Sequence, residues 1–224
     1  MDKIAVKHLL ARNFQTAESM KTLRTNLQFS GESVKVVALT SYGAAEGKST
    51  ISFQLAASLA ELGKRVLLMD ADLRKSTLAS RLNIRGNALG MSHCLTGQAT
   101  LNEAMLETDL PGLFVVLAGP RVPNSAELLG GKSFQRMMQA LRNVFDYIIV
   151  DAAPLGQVID CAVIAPETDG VVMVIDATNN SYKLQLRVKA QLEKSGGKIL
   201  GVILNRVDPG SKKAYYGKPY GCEY

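Results

Sequence analysis

The sequence predicts a doubly wound α/β fold, a mostly parallel sheet flanked by helices. Three observations carry that prediction. Six apolar runs of strand length recur along the 224 residues, and several are apolar throughout rather than alternating. That is the pattern of strands buried on both faces of a parallel sheet. Stretches of helical period separate many of the runs, so strand and helix alternate. Finally, the first run leads into a loop of small residues that ends in a lysine and opens a helix.

The elements follow in order. A segment of good helix formers, about Thr16 to Phe29, precedes Ser30-Gly31 and predicts an N-terminal helix. The strand runs are Val34 to Thr40, Arg65 to Asp70, Leu113 to Ala118, Tyr147 to Asp151, Gly170 to Asp176 and Ile199 to Asn205. Helical periodicity spans Thr50 to Leu62, Ala126 to Val144 and Tyr182 to Lys194. Ile84 to Thr100, with Gly86, Gly90 and Gly97, reads as a long connection. Asp208-Pro209-Gly210-Ser211 is a breaker cluster. The expected organisation is one domain over 1–210 and a flexible tyrosine-rich tail over 211–224.

Composition narrows the function classes. Hydrophobic residues make up 47% of the chain, enough for a sizeable core. The net charge of +6 is spread along the sequence, so no nucleic-acid partner is implied; phosphate ligands or an anionic membrane surface fit equally well. Cys94, Cys161 and Cys222 lack metal-ligand spacing, and His8 and His93 are the only histidines. A disulfide framework, a zinc site and histidine catalysis are all disfavoured, and a reduced, cytoplasmic protein is expected. No apolar run is long enough to span a bilayer.

The chemistry gathers around Ser41-Tyr42-Gly43-Ala44-Ala45-Glu46-Gly47-Lys48-Ser49-Thr50. A strand, a small-residue loop and a helix start make an anion site, because backbone N–H groups and the helix dipole both face the ligand. Gly43, Ala44, Ala45, Glu46, Gly47, Lys48, Ser49 and Thr50 are the expected ATP-binding residues. Lys48 reaches the β- and γ-phosphates, and the Ser49 hydroxyl ligates Mg²⁺. Tyr42 stands where the strict P-loop pattern has glycine. Two further strands end in acids: Leu67-Leu68-Met69-Asp70-Ala71-Asp72 and Ile148-Ile149-Val150-Asp151. Strand carboxyl ends are where ligands of such sheets bind, and Asp151 is suited to hold Mg²⁺ through water. A lone acid at a strand end is often a turn former; three acids at two strand ends beside a lysine loop are much more specific.

These motifs resemble the bacterial tyrosine kinases of capsule and exopolysaccharide synthesis, within the deviant P-loop ATPases that include MinD and ParA. The resemblance runs from about Glu18 to the tail. Asp70-Ala71-Asp72-Leu73-Arg74 matches the family's Walker A′ motif, and Pro123-Asn124-Ser125-Ala126-Glu127-Leu128-Leu129 resembles its stretch before a long helix, with Ser125 where proline is usual. Glu18, Lys21 and Arg24 resemble its oligomerisation motif, with lysine for the first arginine. The family usually has Pro-Gly-Glu-Gly-Lys where this chain has Ala44-Ala45-Glu46-Gly47-Lys48, so the backbone at Ala45 is expected to avoid strongly glycine-only angles. Gly43 stands where MinD and ParA carry a second lysine.

The resemblance implies an ATP- and Mg²⁺-dependent kinase that phosphorylates Tyr215, Tyr216, Tyr220 and Tyr224 in its own tail. Lys48 stabilises the transferring group; Ser49, Asp72 and Asp151 hold the metal; Asp70 or Asp72 accepts the tyrosine proton; Asn205 reads adenine. It also implies a ring-shaped homo-oligomer, a membrane activator of the polysaccharide co-polymerase type that recruits the kinase to the inner face of the membrane, and a cognate tyrosine phosphatase. With no span, the chain resembles the two-chain arrangement, in which the activator is a separate protein. The rivals are a MinD/ParA-type ATPase switch and a non-catalytic ATP-binding module of an export complex.

Overall fold

The computed structural model describes residues 3–10, 13–84, 88–178 and 181–207. Seven strands form one sheet: β1 (Val36–Ser41), β2 (Val66–Asp70), β3 (Met105–Glu107), β4 (Leu113–Val116), β5 (Tyr147–Asp151), β6 (Gly170–Asp176) and β7 (Ile199–Asn205). Their order is β3-β4-β2-β5-β1-β6-β7. Every neighbouring pair is parallel except β3 with β4. The chain winds first to one side of β1 and then, from β5 to β6, to the other. That reversal opens a crevice at the carboxyl ends of the strands.

The long helices are α1 (Phe14–Phe29), α2 (Lys48–Ala60), α7 (Lys132–Arg142) and α9 (Tyr182–Lys194); the short ones are α3 (Leu78–Arg81), α4 (Met91–Leu95), α5 (Leu101–Ala104), α6 (Ser125–Leu129) and α8 (Asp160–Ile164). β1, β2 and β6 are buried along their whole length, as their unbroken apolar runs require. Leu55 and Leu59 of α2 pack on one sheet face with Leu27 of α1. Phe134, Met138 and Leu141 of α7 pack on the other with Val188 and Leu192 of α9.

Several expectations are corrected. The single helix expected over Ala126 to Val144 is two, α6 and α7, because Gly130 ends the first and the extended backbone of Gly131 (φ −79, ψ 159) starts the second. Gly130 also lies where a Cβ would come within 3.0 Å of Val163 on α8. The connection over Ile84 to Thr100 contains α4. The edge strand β3 had no signal in the sequence. It is short, and the N-terminal segment is fastened beside it: Ile4 N–H donates to the Glu107 carbonyl at 2.9 Å, and Val6 N–H to Asp109 Oδ1 at 2.7 Å. The tail over 211–224, with Tyr215, Tyr216, Tyr220 and Tyr224, lies outside the described residues.

Candidate active site

The loop between β1 and α2 is shaped by its own residues. Ser41 Oγ donates to the Gly43 carbonyl at 2.6 Å, and Gly43 N–H donates to Glu46 Oε1 at 2.6 Å. Gly47 has φ +96, and a Cβ there would collide with the side-chain nitrogen of Asn205. Ala45 has φ +62. The left-handed region is therefore occupied, not avoided, at a cost of roughly 1–2 kcal/mol for an L-residue. A bond from Arg206 Nη2 to the Ala45 carbonyl, 2.9 Å, holds it there. Tyr42 is half-buried against Gly156, where any Cβ would strike its ring and carbonyl. A glycine after β5 thus accommodates the tyrosine.

α2 begins at Lys48, so Lys48, Ser49 and Thr50 are its first turn, where free N–H groups and the positive end of the helix dipole lie. Lys48 is buried. Thr50 Oγ1 accepts from Arg81 Nη1 of α3 at 2.7 Å. The acids sit on neighbouring strands: Asp70 ends β2 directly beside Asp151 at the end of β5. Ser52 Oγ, on α2, donates to Asp151 Oδ1 at 3.2 Å. Asp70 Oδ1 accepts from Asp72 N–H at 3.1 Å, and its Oδ2 accepts from the Ser76 hydroxyl.

Electrostatics separate these carboxylates from ordinary ones. Burial first, then the neighbouring Asp151 charge, pushes Asp70 well above the usual carboxylate range. Burial also raises Asp151, against a hydrogen bond from Ser49 and the charge of Lys48. Two buried like charges side by side make a place that favours a positive charge. Among the described residues no three acids, histidines or cysteines cluster tightly enough to cage a metal. The donors present, Ser49, Asp72 and Asp151, are all oxygens and fit Mg²⁺, which keeps several waters and takes one or two carboxylates plus substrate phosphates.

A different arrangement lies across the loop. Asn205 Nδ2 donates to the Glu46 carbonyl at 2.9 Å, and Asp176 N–H donates to Glu46 Oε2 at 3.4 Å. Arg206 pairs with Asp176, whose Oδ1 also accepts from the Thr178 hydroxyl at 2.6 Å. Beside Asp72 and Ser76 there is a cavity of about 420 Å³, with apolar walls from Leu73, Ile84 and Leu117 and polar ones from His93 and Arg121.

The structure thus brings Gly43 to Thr50, Asp70, Asp72, Asp151 and Asn205 to one end of the sheet. Glu18, Lys21 and Arg24 lie elsewhere, on α1. Lys21 Nζ pairs with Glu18 at 2.6 Å, and Arg24 Nη1 reaches the Ser58 carbonyl of α2 at 2.9 Å. Sequence reasoning missed Ser52, Ser76, Arg81 and Arg206. Only Ser52 carried a signal, one helical turn beyond Lys48 and Ser49.

A family model described as an AAA domain matches residues 34–199. The tyrosine-protein kinase CpsD of Streptococcus agalactiae is 43% identical over 194 residues, covering 87% of this chain and 85% of that protein. Among solved structures, the kinase domain of Escherichia coli tyrosine kinase ETK is similar with a TM-score of 0.83 at 31% identity, over 90% of this chain and 80% of that one. The septum site-determining protein MinD of Pyrococcus horikoshii, at 22% identity and a TM-score of 0.63 over 76% of this chain and 70% of that one, shares the fold. A lysine loop at a helix start, paired acids on adjacent strand ends and relatives of this identity over most of their length agree: the chain belongs to the bacterial tyrosine-protein kinases, on a P-loop ATPase fold.

Proposed function

We propose that this chain transfers the γ-phosphoryl group of ATP to tyrosines of its own C-terminal segment, Tyr215, Tyr216, Tyr220 and Tyr224, presented by a neighbouring subunit, and thereby regulates capsule or exopolysaccharide synthesis. The observation that carries the reading is the juxtaposition of the α2 first turn with Asp70 and Asp151 on adjacent strand ends. The loop amides and Lys48 hold the β- and γ-phosphates and offset the charge that develops on them. Ser49, Asp151 and Asp72 would hold Mg²⁺, which would supply positive charge to offset that of the phosphates. Asn205, fixed beside Gly47, takes the adenine. The acceptor phenol enters by the cavity against Asp72. Its oxygen bonds to the γ-phosphorus as the bond to the β–γ bridging oxygen breaks, ADP leaves, and the phenolic proton passes to the Asp70/Asp72 pair. The high proton affinity of Asp70 suits that step.

A MinD-type switch is disfavoured by Gly43 at the second-lysine position and by the distance in identity between the two sets of relatives. Incubation with γ-labelled ATP and Mg²⁺ tests the reading. Label on protein tyrosine is expected, and more of it when the cytoplasmic segment of a membrane activator is added. Release of free phosphate with no labelled protein in either condition would refute it.

Subunits form a ring through the α1 face bearing Glu18, Lys21 and Arg24, and the activator recruits the ring to the inner face of the membrane. Four phosphotyrosines add roughly −6 to −8 charges, enough to cancel the net +6 of the chain. Charged tails then leave sites that already hold nucleotide phosphates. The ring loosens until a tyrosine phosphatase resets it. Light scattering is expected to show mass falling as the tails are phosphorylated; constant mass at full phosphorylation contradicts the cycle.

A further inference from the structure

The turn that carries Asp72 is fastened sideways to the body of the protein. Asp72 Oδ1 accepts from the N–H groups of Arg74 at 3.3 Å and Lys75 at 2.9 Å. The carboxylate direction therefore follows the backbone of residues 74 and 75. The Arg74 guanidinium leaves the turn and forks onto Asp160, Nε to Oδ2 at 2.9 Å and Nη2 to Oδ1 at 3.0 Å. Asp160 is 1% exposed and opens α8, on the segment that follows β5 and its Asp151. The hydroxyl of Ser125, fully buried at the start of α6, donates to the same Oδ2. A second tie runs parallel, from Val122 N–H to the Leu73 carbonyl at 3.3 Å.

A carboxylate this deep is tolerated only when opposite charge and hydrogen bonds satisfy it. Two parallel bonds from a planar guanidinium fix orientation as well as distance, which a lysine does not do. The Ser125 hydroxyl supplies a third bond. A proline, usual in the resembling family at this position, could not donate it. The three residues therefore tie the turn after β2, which carries Asp72, to α8 on the segment that follows Asp151, and α8 in turn to α6.

We propose that Asp160, steadied by Ser125, is a positioning residue for phosphoryl transfer: acting through Arg74, it fixes the Asp72 carboxylate relative to Asp151 and so sets how tightly the site takes Mg²⁺. This rests on the reading that Asp72 shares the metal shell. Outer-shell partners of metal ligands typically change affinity or activity by about 10- to 100-fold when lost.

Arg74→Lys keeps the charge and removes the fork. The Mg²⁺ concentration for half-maximal binding of a fluorescent ADP analogue is expected to rise about tenfold, while binding of the same analogue in EDTA stays within about twofold. The kcat is expected to fall by about 10- to 100-fold, with the KM for ATP little changed at saturating Mg²⁺. Ser125→Ala is expected to shift the Mg²⁺ requirement in the same direction by about threefold, the smaller effect of one lost hydrogen bond. An Mg²⁺ requirement equal to that of the parent in Arg74→Lys overturns the proposal, as does an equal loss of affinity with and without metal. Should Arg74→Lys fail to fold, an unshifted Mg²⁺ requirement in Ser125→Ala overturns it alone. The binding readout needs no phosphoryl transfer. A parent protein that labels no tyrosine would therefore defeat the kinase reading and leave this test standing.

Discussion

The two flanks of the phosphate loop handle their acids in opposite ways. On the β2 and β5 side, Asp70 and Asp151 are buried next to each other, and both hold protons more tightly than ordinary carboxylates. On the β6 and β7 side, Asp176 holds its proton less tightly, through hydrogen bonds from Thr178 and then through Arg206. That flank is satisfied by the chain itself, and it grips the loop through the Glu46 and Ala45 carbonyls. The first flank is short of positive charge; the second is complete. The first condition suits the proposed role, a site that receives a metal and a moving phosphoryl group. A loop that must keep its shape in between needs the second.

The largest expected effect comes from removing the one cation that faces the acid flank from the loop. Lys48→Met is expected to lower tyrosine phosphorylation by at least about 100-fold, in the range seen when a single transition-state donor is lost, with the circular dichroism spectrum unchanged. Labelling at the parent rate would remove Lys48 from the site. A smaller and different effect is expected on the other flank. Arg206→Ala frees the Ala45 carbonyl and leaves its left-handed backbone without that tie. The KM for ATP is expected to rise roughly threefold to tenfold, the cost of about one ordinary hydrogen bond, while kcat changes less than about twofold. A kcat collapse with KM unchanged would show that Arg206 serves the chemistry and would break the division between the flanks.

The sequence showed one flank better than the other, for a physical reason. Asp70, Asp72 and Asp151 were legible because each terminates or follows an apolar run, and strands buried on both faces leave such runs unbroken. Lys48 and Ser49 were legible because a loop that wraps phosphate must be local in sequence. The clamp was not. Arg206 meets Ala45 and Asn205 meets Glu46 across about 160 positions, and no local pattern encodes such a pairing. The same holds for Arg74 and Asp160, 86 residues apart. In the fold, the strands of the sheet centre were readable to within about two residues, the usual play at element ends. β3 escaped because three edge residues, two half-buried and one exposed, need no apolar run. The break between α6 and α7 was marked by Gly130-Gly131, but the apolar period continues across it.

The charge difference between the flanks is tested most directly by one paired measurement, the thermal stability of metal-free Asp70→Asn and Asp176→Asn as a function of pH. Asp70 has a folded pKa above its unfolded value. Its cost to stability is absent below the ordinary carboxylate range and grows as pH rises through the folded pKa. Asp176 has a folded pKa below its unfolded value. Its contribution is full above the ordinary range and is lost as pH falls. At pH 7, Asp70→Asn is therefore expected to raise the Tm, by about 2–4 °C for each kcal/mol relieved, and Asp176→Asn to lower it. The Asp70 difference vanishes toward about pH 4, where ordinary carboxylates protonate, whereas the Asp176 difference persists there and is lost only at lower pH. A fall in Tm at pH 7 for Asp70→Asn, of the same sign as for Asp176→Asn, would contradict the account.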